Sequence, residues 1–338
     1  VDVKSLTFFN NKGGVGKTTL ACNMAHYLAT HLSLNVLLVD GDPQCNATQL
    51  LLEDEEWQDI YEDREASETK TILKVLSQIR MGDSGIDTDL EIHRSKRFQV
   101  DVLAGHPSLS AVEDRLSQSW TDFRAGDAGG FRRSRWVASL VDSVDYDLVI
   151  FDVGPSLGAL NRSVLIGTDR FVTPMAADLF SLYSLDNISE WVSGWSRDYE
   201  SAVEAVVRDN AGLPGIRDYP TKSGIESSFA GYTVQQYVSK RSGNEVRSVA
   251  AYDQFKEQIP ARARQLTRFR APDAQDPALG VVPNMFSMVP LAQSVHAPIM
   301  DLSPKDGVRG AQVSQHRAYS EQLTTIGSAL ARNAGLVS

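Results

Sequence analysis

The sequence predicts an α/β fold, a doubly wound and mostly parallel sheet flanked by helices, and three observations lead to it. Residues 6–9, 36–39 and 148–151 are short continuous apolar runs rather than alternating ones, as strands covered on both faces require. The first run stops at the glycine-rich stretch 10–19, NNKGGVGKTT, after which Leu20, Met24 and Leu28 fall on one helical face. The other two stop at Asp40 and Asp152. Strand, polar turn and helix recur in the order that builds βα units, with ligands expected at the carboxyl ends of the strands.

The turn after the first strand predicts an anion site. Gly13, Gly14 and Gly16 let the backbone curl around a phosphate so that several N–H groups and a helix N-terminus point at its oxygens. Lys17 supplies a cation to the terminal phosphates, the Thr18 hydroxyl is placed for Mg²⁺, and Thr19 reaches toward the α-phosphate. The nucleotide contacts predicted from this turn are therefore Gly13, Gly14, Val15, Gly16, Lys17, Thr18 and Thr19. The stretch departs from G-x-x-x-x-G-K-[ST] at two points: Asn11 stands where the first glycine belongs, and Lys12 is an additional lysine.

The second and third strand ends supply carboxylates. Asp40 and Asp42, in LLVDGDPQCNAT, are expected near the metal and the attacking water, and Asp152, in YDLVIFDVGPSLG, is expected to hold Mg²⁺ directly or through water. The predicted metal ligands are thus Thr18, Asp42 and Asp152. Capping of the following turn is the alternative role for each aspartate, Asp40 above all.

Residues 171–174 read as a fourth strand, followed by a helix with Leu182, Leu185, Ile188, Val192 and Trp195 on its apolar face. A last helix carries Tyr319, Leu323, Ile326 and Leu330. Residues 82–85, 126–130 and 271–277 read as surface loops, and no internal repeat is visible.

With 338 residues, 42% of them hydrophobic, the chain fits one elaborated domain over 1–338 with surface insertions at about 53–100 and 205–278. Two cysteines, Cys22 and Cys45, without C-x-x-C spacing and without a membrane-length apolar run, predict a cytoplasmic protein. The six scattered histidines predict no transition-metal site. The net charge of −10 disfavours nucleic acid only superficially, because residues 53–68 alone hold nine acids against Arg64. Residues 240–270 hold eight basic residues against three acids. If IPARARQLTRFRAP is helical, Ile259, Leu266 and Phe269 share one face and Arg264 and Arg268 the opposite one, with Lys240, Arg241 and Arg247 as neighbours. That face is either a DNA contact or simply solvated. Arg132, Arg133 and Arg135 read as the start of a surface helix.

KGGVGKTT, VDGDPQCNAT and DLVIFDVGPSLG, in this order and spacing, resemble the deviant Walker A, A′ and B motifs of the ParA/MinD family of ATPases. The resemblance is strongest over residues 3–60 and 146–185, and GAQVSQHRAYSEQL is similar to the last helix of ParA and Soj proteins. DPQ-x-N-x-T is nearer to ParA than to MinD. The resemblance implies a P-loop fold, ATP and Mg²⁺ as ligands, and slow ATP hydrolysis stimulated by a ParB-like or other activating protein. It implies a homodimer formed on ATP binding, in which Lys12 reaches the phosphates held by the other subunit, and Asp42 orients or activates the attacking water. Lys12, Lys17 and Asp42 are the catalytic set by this analogy. Gln235 or Gln236, and Pro283 with Asn284, would line the adenine pocket. Gly154 departs from the pattern, standing where many relatives have proline.

ParA-like relatives bind DNA nonspecifically and act in plasmid or chromosome segregation or cargo positioning, associated with the nucleoid, whereas MinD-like ones bind membrane through a basic tail. Here ALARNAGLVS has Arg332 as its only cation after Arg317, so membrane attraction is not expected. Two other readings stay open, an ATP-switched protein-docking module that never touches DNA and a P-loop metabolic enzyme. Iron-protein relatives are disfavoured by the lack of cluster cysteines.

Overall fold

The computed structural model describes residues 3–235, 247–282, 284–285 and 287–337, with 247–253 described as helical backbone only. In chain order the elements are β1 (Ser5–Phe8), α1 (Lys17–His31), β2 (Val36–Gly41), α2 (Asn46–Leu51), α3 (Asp54–Glu62), α4 (Arg64–Thr69), α5 (Ile72–Val75) and α6 (Ser77–Met81). Then come β3 (His93–Ser95), β4 (Val100–Leu103), α7 (Leu109–Arg124), α8 (Ala128–Ser134), α9 (Trp136–Ser143), β5 (Leu148–Val153), α10 (Ala159–Gly167), β6 (Arg170–Ala176) and α11 (Leu179–Asp209). The chain closes with β7 (Phe229–Gln235), α12 (Arg247–Ala263), β8 (Ala278–Val282), α13 (Met288–Ser294) and α14 (Ala311–Ala334).

Among the described residues the strands form one eight-stranded sheet in the order β3-β4-β2-β5-β1-β6-β7-β8, parallel throughout except where β3 meets β4. The apolar runs dictate this layering. Leu37, Val39, Val149 and Phe151 face one core with α7, α9, α10 and α11, while Leu6, Phe8, Leu38 and Ile150 face the other with α1 and α14. Each such side chain contributes roughly 1.5–3 kcal/mol by leaving water. The register sets Phe8 beside Asp152, and Asp152 in turn beside Asp40, so the turns that follow β1, β2 and β5 converge at one edge.

Several expectations change. Residues 53–100 supply α3–α6, β3 and the first residue of β4, and residues 205–278 include β7, which lies inside the sheet between β6 and β8. Both segments are therefore partly sheet rather than surface insertion. The strand signal in β7 is broken by Gly231, whose φ of 141° and close approach to the Pro277 carbonyl leave no space for a side chain. The loop expected at 126–130 is only half a loop, because Gly129 and Gly130 open α8. A Cβ on Gly130 would lie 2.5 Å from the Phe123 nitrogen, so glycine there serves helix packing and not a turn. Arg132 and Arg133 close α8 rather than opening a helix, and Arg133 is tied to Asp122 at 3.0 Å. No described helix is long and apolar enough to cross a membrane.

Candidate nucleotide-binding site

β1 delivers the chain to the glycine-rich turn, and Asn10 fixes where that turn begins. Its buried amide donates to the Pro174 carbonyl at 2.7 Å and its oxygen accepts from Lys12 N–H at 2.8 Å, pinning the turn to β6. Gly14 and Gly16 have φ of 72° and 73°, the left-handed region where glycine alone is unstrained. α1 starts immediately after, with no acidic residue in its first turn and no side chain capping it, so its leading N–H groups face the pocket. A cavity of about 320 Å³ lies there, lined by Gly13, Lys17, Thr18, Asp42, Gln44 and Pro155 among others. Lys17 is buried and reaches the Lys12 carbonyl at 3.3 Å. Burial lowers its pKa, and Asp152 and then Asp42 oppose that shift.

The three carboxylates separate into different environments. Asp40 accepts from Thr48 N–H at 2.8 Å, from the Thr48 hydroxyl at 2.7 Å and from Asp42 N–H at 3.2 Å. It therefore organises the turn between β2 and α2, and the expectation that it approaches metal or water is corrected to the capping role. Burial pushes its pKa up to about 6 against those hydrogen bonds. Asp42 accepts from Gln44 N–H at 2.9 Å and rests against Gly154, where a Cβ would lie 3.1 Å from its carboxylate. The glycine that departs from the family pattern thus leaves space beside Asp42.

Asp152 is fully buried, and neither of its oxygens has a hydrogen-bond partner. Burial first, then the charge of Asp40, pushes its pKa up to about 8, although the Thr18 hydroxyl, and more weakly Lys17, pull the other way. An orphaned carboxylate beside a threonine hydroxyl suits a hard divalent ion with oxygen ligands, so the residues present fit Mg²⁺. Among the described residues no group of three or more His, Cys, Asp or Glu side chains could hold a metal alone, so such an ion would share its ligands with phosphate and water.

Lys12 faces its own chain, its ammonium bonded to Asp178 at the N-terminus of α11. Burial raises the Asp178 pKa, but the Lys12 ammonium and the Ser181 N–H together hold it below its ordinary value. Next to this pair α11 exposes Leu179, Phe180 and Tyr183, at 44, 71 and 55% of their surface.

Behind the glycine-rich turn a second cavity of about 470 Å³ is lined by Thr19, Gln235, Asn284, Met285, Val289 and Leu323 among others. Of the residues expected around a base, Gln235 and Asn284 are here, while Gln236 and Pro283 lie outside the described residues. The Gln235 side chain crosses the turn, with its oxygen 2.8 Å from where a Gly16 Cβ would stand. The apolar wall from α13 and α14 was not expected, and neither was Asp178 as the partner of Lys12.

Of the basic residues, Lys240 and Arg241 lie outside the described residues, and Arg247 opens α12 with its side chain outside them. α12 stops at Ala263, and 264–269 continue as a 3₁₀ turn that buries Leu266 and Phe269 as expected. Arg264 is exposed. Arg268 is exposed too; its guanidinium donates to the Ser189 carbonyl at 2.8 Å and lies 4.7 Å from the Phe269 ring centre, neutral partners that leave its charge unpaired among the described residues.

Residues 3–204 match the AAA domain family, and the matching stretch contains the glycine-rich turn and both strand-end aspartates described above. The chain belongs to the ParA/MinD family of partitioning ATPases. It is 32% identical over 193 residues to the virulence plasmid ParA family protein pGP5-D of Chlamydia psittaci, a match covering 56% of this chain and 64% of that relative. The match thus spans less than two thirds of the relative. Protein DIP2308 of Corynebacterium diphtheriae has a similar structure, with 33% identity, a TM-score of 0.78 and 98% of each chain covered. The ATP complex of Cyanothece McdA shares the ParA-type fold at 15% identity and a TM-score of 0.58, over 97% of this chain and 96% of that one.

Proposed function

We propose that this ParA-family chain is a Mg²⁺-dependent ATPase that pairs with a second copy when ATP is bound, hydrolyses ATP slowly, and acts with DNA and an activating protein in DNA segregation or cargo positioning. The carrying observation is Asp152, a buried carboxylate without a partner between Lys17 and Thr18, at the mouth of a helix whose first N–H groups face a cavity. Bound Mg²⁺ would neutralise phosphate charge there and order the triphosphate. Lys17 and the amides of Gly13–Gly16 hold the phosphates, Thr18 and Asp152 hold the ion, and Asp42 accepts the hydrogen bond that orients a water. Gln235, Asn284 and the apolar wall from α13 and α14 receive the base.

Lys12 must leave Asp178 to serve another subunit. The exposed Leu179, Phe180 and Tyr183 beside it support a second copy docking on this face, because apolar surface of that size next to a charged rim is the usual make-up of a contact. Light scattering with MgATP tests this reading. Wild-type protein should double in mass, and Lys12→Ala should bind nucleotide yet stay monomeric. A mutant that dimerises as well as wild type sinks the cross-subunit role.

DNA contact rests on the exposed Arg264 and Arg268, with Lys240, Arg241 and Arg247 as neighbours. Duplex binding that needs MgATP and weakens with salt is expected, with Arg264→Glu reducing it. If no salt-sensitive binding appears even at low salt, the ATP-switched docking module is the better reading.

A further inference from the structure

On the face of the molecule formed by α7, α10 and α11 lies a groove of about 600 Å³. Trp120 and Trp195 form its buried floor, and Trp191 stands up at its side with 46% of its surface exposed, set 5.7 Å from Trp195 between ring centres. The space exists because the residues around Trp191 are small. A Cβ on Gly194 would meet no atom within 4 Å, and Ser117 and Thr121 face it from α7.

Arg162 of α10 projects into this groove with its guanidinium 4.6 Å from the Trp120 ring centre. Among the described residues its guanidinium has neither a hydrogen bond nor an ion pair. The two carboxylates that act on it most are committed elsewhere. Glu113 accepts from the N–H groups of Ala159 and Leu160, the latter at 3.0 Å, and so caps α10. Asp198 lies 3.4 Å from Arg124. Burial lowers the Arg162 pKa to about 10, and Arg124 adds to that, while Glu113 and Asp198 oppose it. The lining balances Arg124 and Arg162 against Glu190 and Asp198, which suits a single carboxylate better than a run of acids.

We infer that this groove docks a segment of a partner protein that presents one carboxylate to Arg162 and an aromatic or large aliphatic side chain to Trp191 and the gap at Gly194. Tryptophan and arginine at the centre of a concave surface are the residues that most often dominate such contacts, and a half-buried guanidinium gains most from a carboxylate that shares its geometry. The inference does not depend on ATP turnover or on pairing of two copies.

The test is display of random 12-residue peptides on the full chain, with and without MgATP, followed by titration of the enriched peptides labelled with a fluorophore. The expected peptides pair an Asp, Glu or terminal carboxylate with an aromatic or Leu, Ile or Met. Arg162→Gln and Trp191→Ala should each weaken them about tenfold or more, while Arg132→Gln on α8 should leave them unchanged. Trp191 is exposed, so its replacement keeps the test valid if Arg162→Gln fails to fold. Peptides indifferent to both substitutions, or no enrichment, overturn the inference. So does loss of ATP-dependent self-association on Trp191→Ala with no effect on peptides, which would make the occupant a second copy.

Discussion

The turns after β2 and β5 are near twins in sequence, an apolar run ending in aspartate, and Asp40 and Asp152 lie directly opposite each other in the sheet. Both are fully buried. Yet Asp40 is held by three hydrogen bonds and Asp152 by none. The difference teaches that position at a strand end does not assign a role. The residue eight positions further on does: Thr48 turns back to satisfy Asp40, whereas the chain after Asp152 turns away through Gly154 and Pro155 and leaves the carboxylate facing the glycine-rich turn. One aspartate is complete in the protein alone, and the other is left without a hydrogen-bond partner.

That contrast can be broken most sharply at Asp40. Asp40→Ala strands the Thr48 and Asp42 N–H groups in a dry site and should cost about 3 kcal/mol of stability, read by urea unfolding. A loss below about 1 kcal/mol would mean that Asp40 is not the organiser. Asp42, between the twins, should behave as neither. Asp42→Ala is expected to slow ATP hydrolysis by about tenfold or more while nucleotide affinity changes less than about threefold, measured by phosphate release and by titration of a fluorescent ATP analogue.

The third prediction concerns pH. Both carboxyls have pKa values raised on folding, Asp152 to about 8 and Asp40 to about 6, so between the unfolded value near 4 and these values the folded state holds more protons than the unfolded one. Stability of the nucleotide-free protein should therefore fall as pH rises through that window, lowering Tm by about 2–5 °C between pH 5.5 and 8 from these groups. Adding Mg²⁺ with nucleotide should reverse the decline. The smallest expected effect is on the stability of Asp152→Asn without ligand near pH 4.5, within about 1 kcal/mol of wild type, with the variant becoming the more stable of the two as pH rises. The variant should nonetheless flatten the pH slope above pH 6 and lose Mg²⁺-dependent nucleotide binding. A large destabilisation at pH 8 would show that Asp152 has a structural partner after all.

The sequence makes the phosphate half of the site legible because Gly13, Lys17 and Thr18 are contiguous and need only the strand before and the helix after. Asp42 and Asp152 are legible as strand ends, but the division of labour between Asp40 and Asp152 depends on hydrogen bonds that periodicity does not encode. The cavity behind the glycine-rich turn draws Val289 and Leu323 from elements over 250 residues downstream of the turn they face, and only tertiary packing joins them. β7 was missed because Gly231 interrupts its apolar run, and Gly129 and Gly130 misled because glycine signals a turn and a tight helix crossing equally well. Arg268 is surface charge, as its pattern suggests, but its reach to Ser189 on α11 depends on tertiary packing.

The two edges of the sheet carry a further consequence. β3 is three residues long, runs against its neighbour, and holds Arg94 exposed against Asp101 at 2.9 Å, while α14 packs over β8 with Ile326 against Gly280. An open edge strand is a template on which another polypeptide can add backbone to backbone, irrespective of what that polypeptide is. Here the β3 margin is cut short and charged, while at the β8 margin α14 covers one face of the strand. Chains crowded together at high local concentration consequently find little to zip onto at the β3 margin, and association there is left to side chains, where it can be undone.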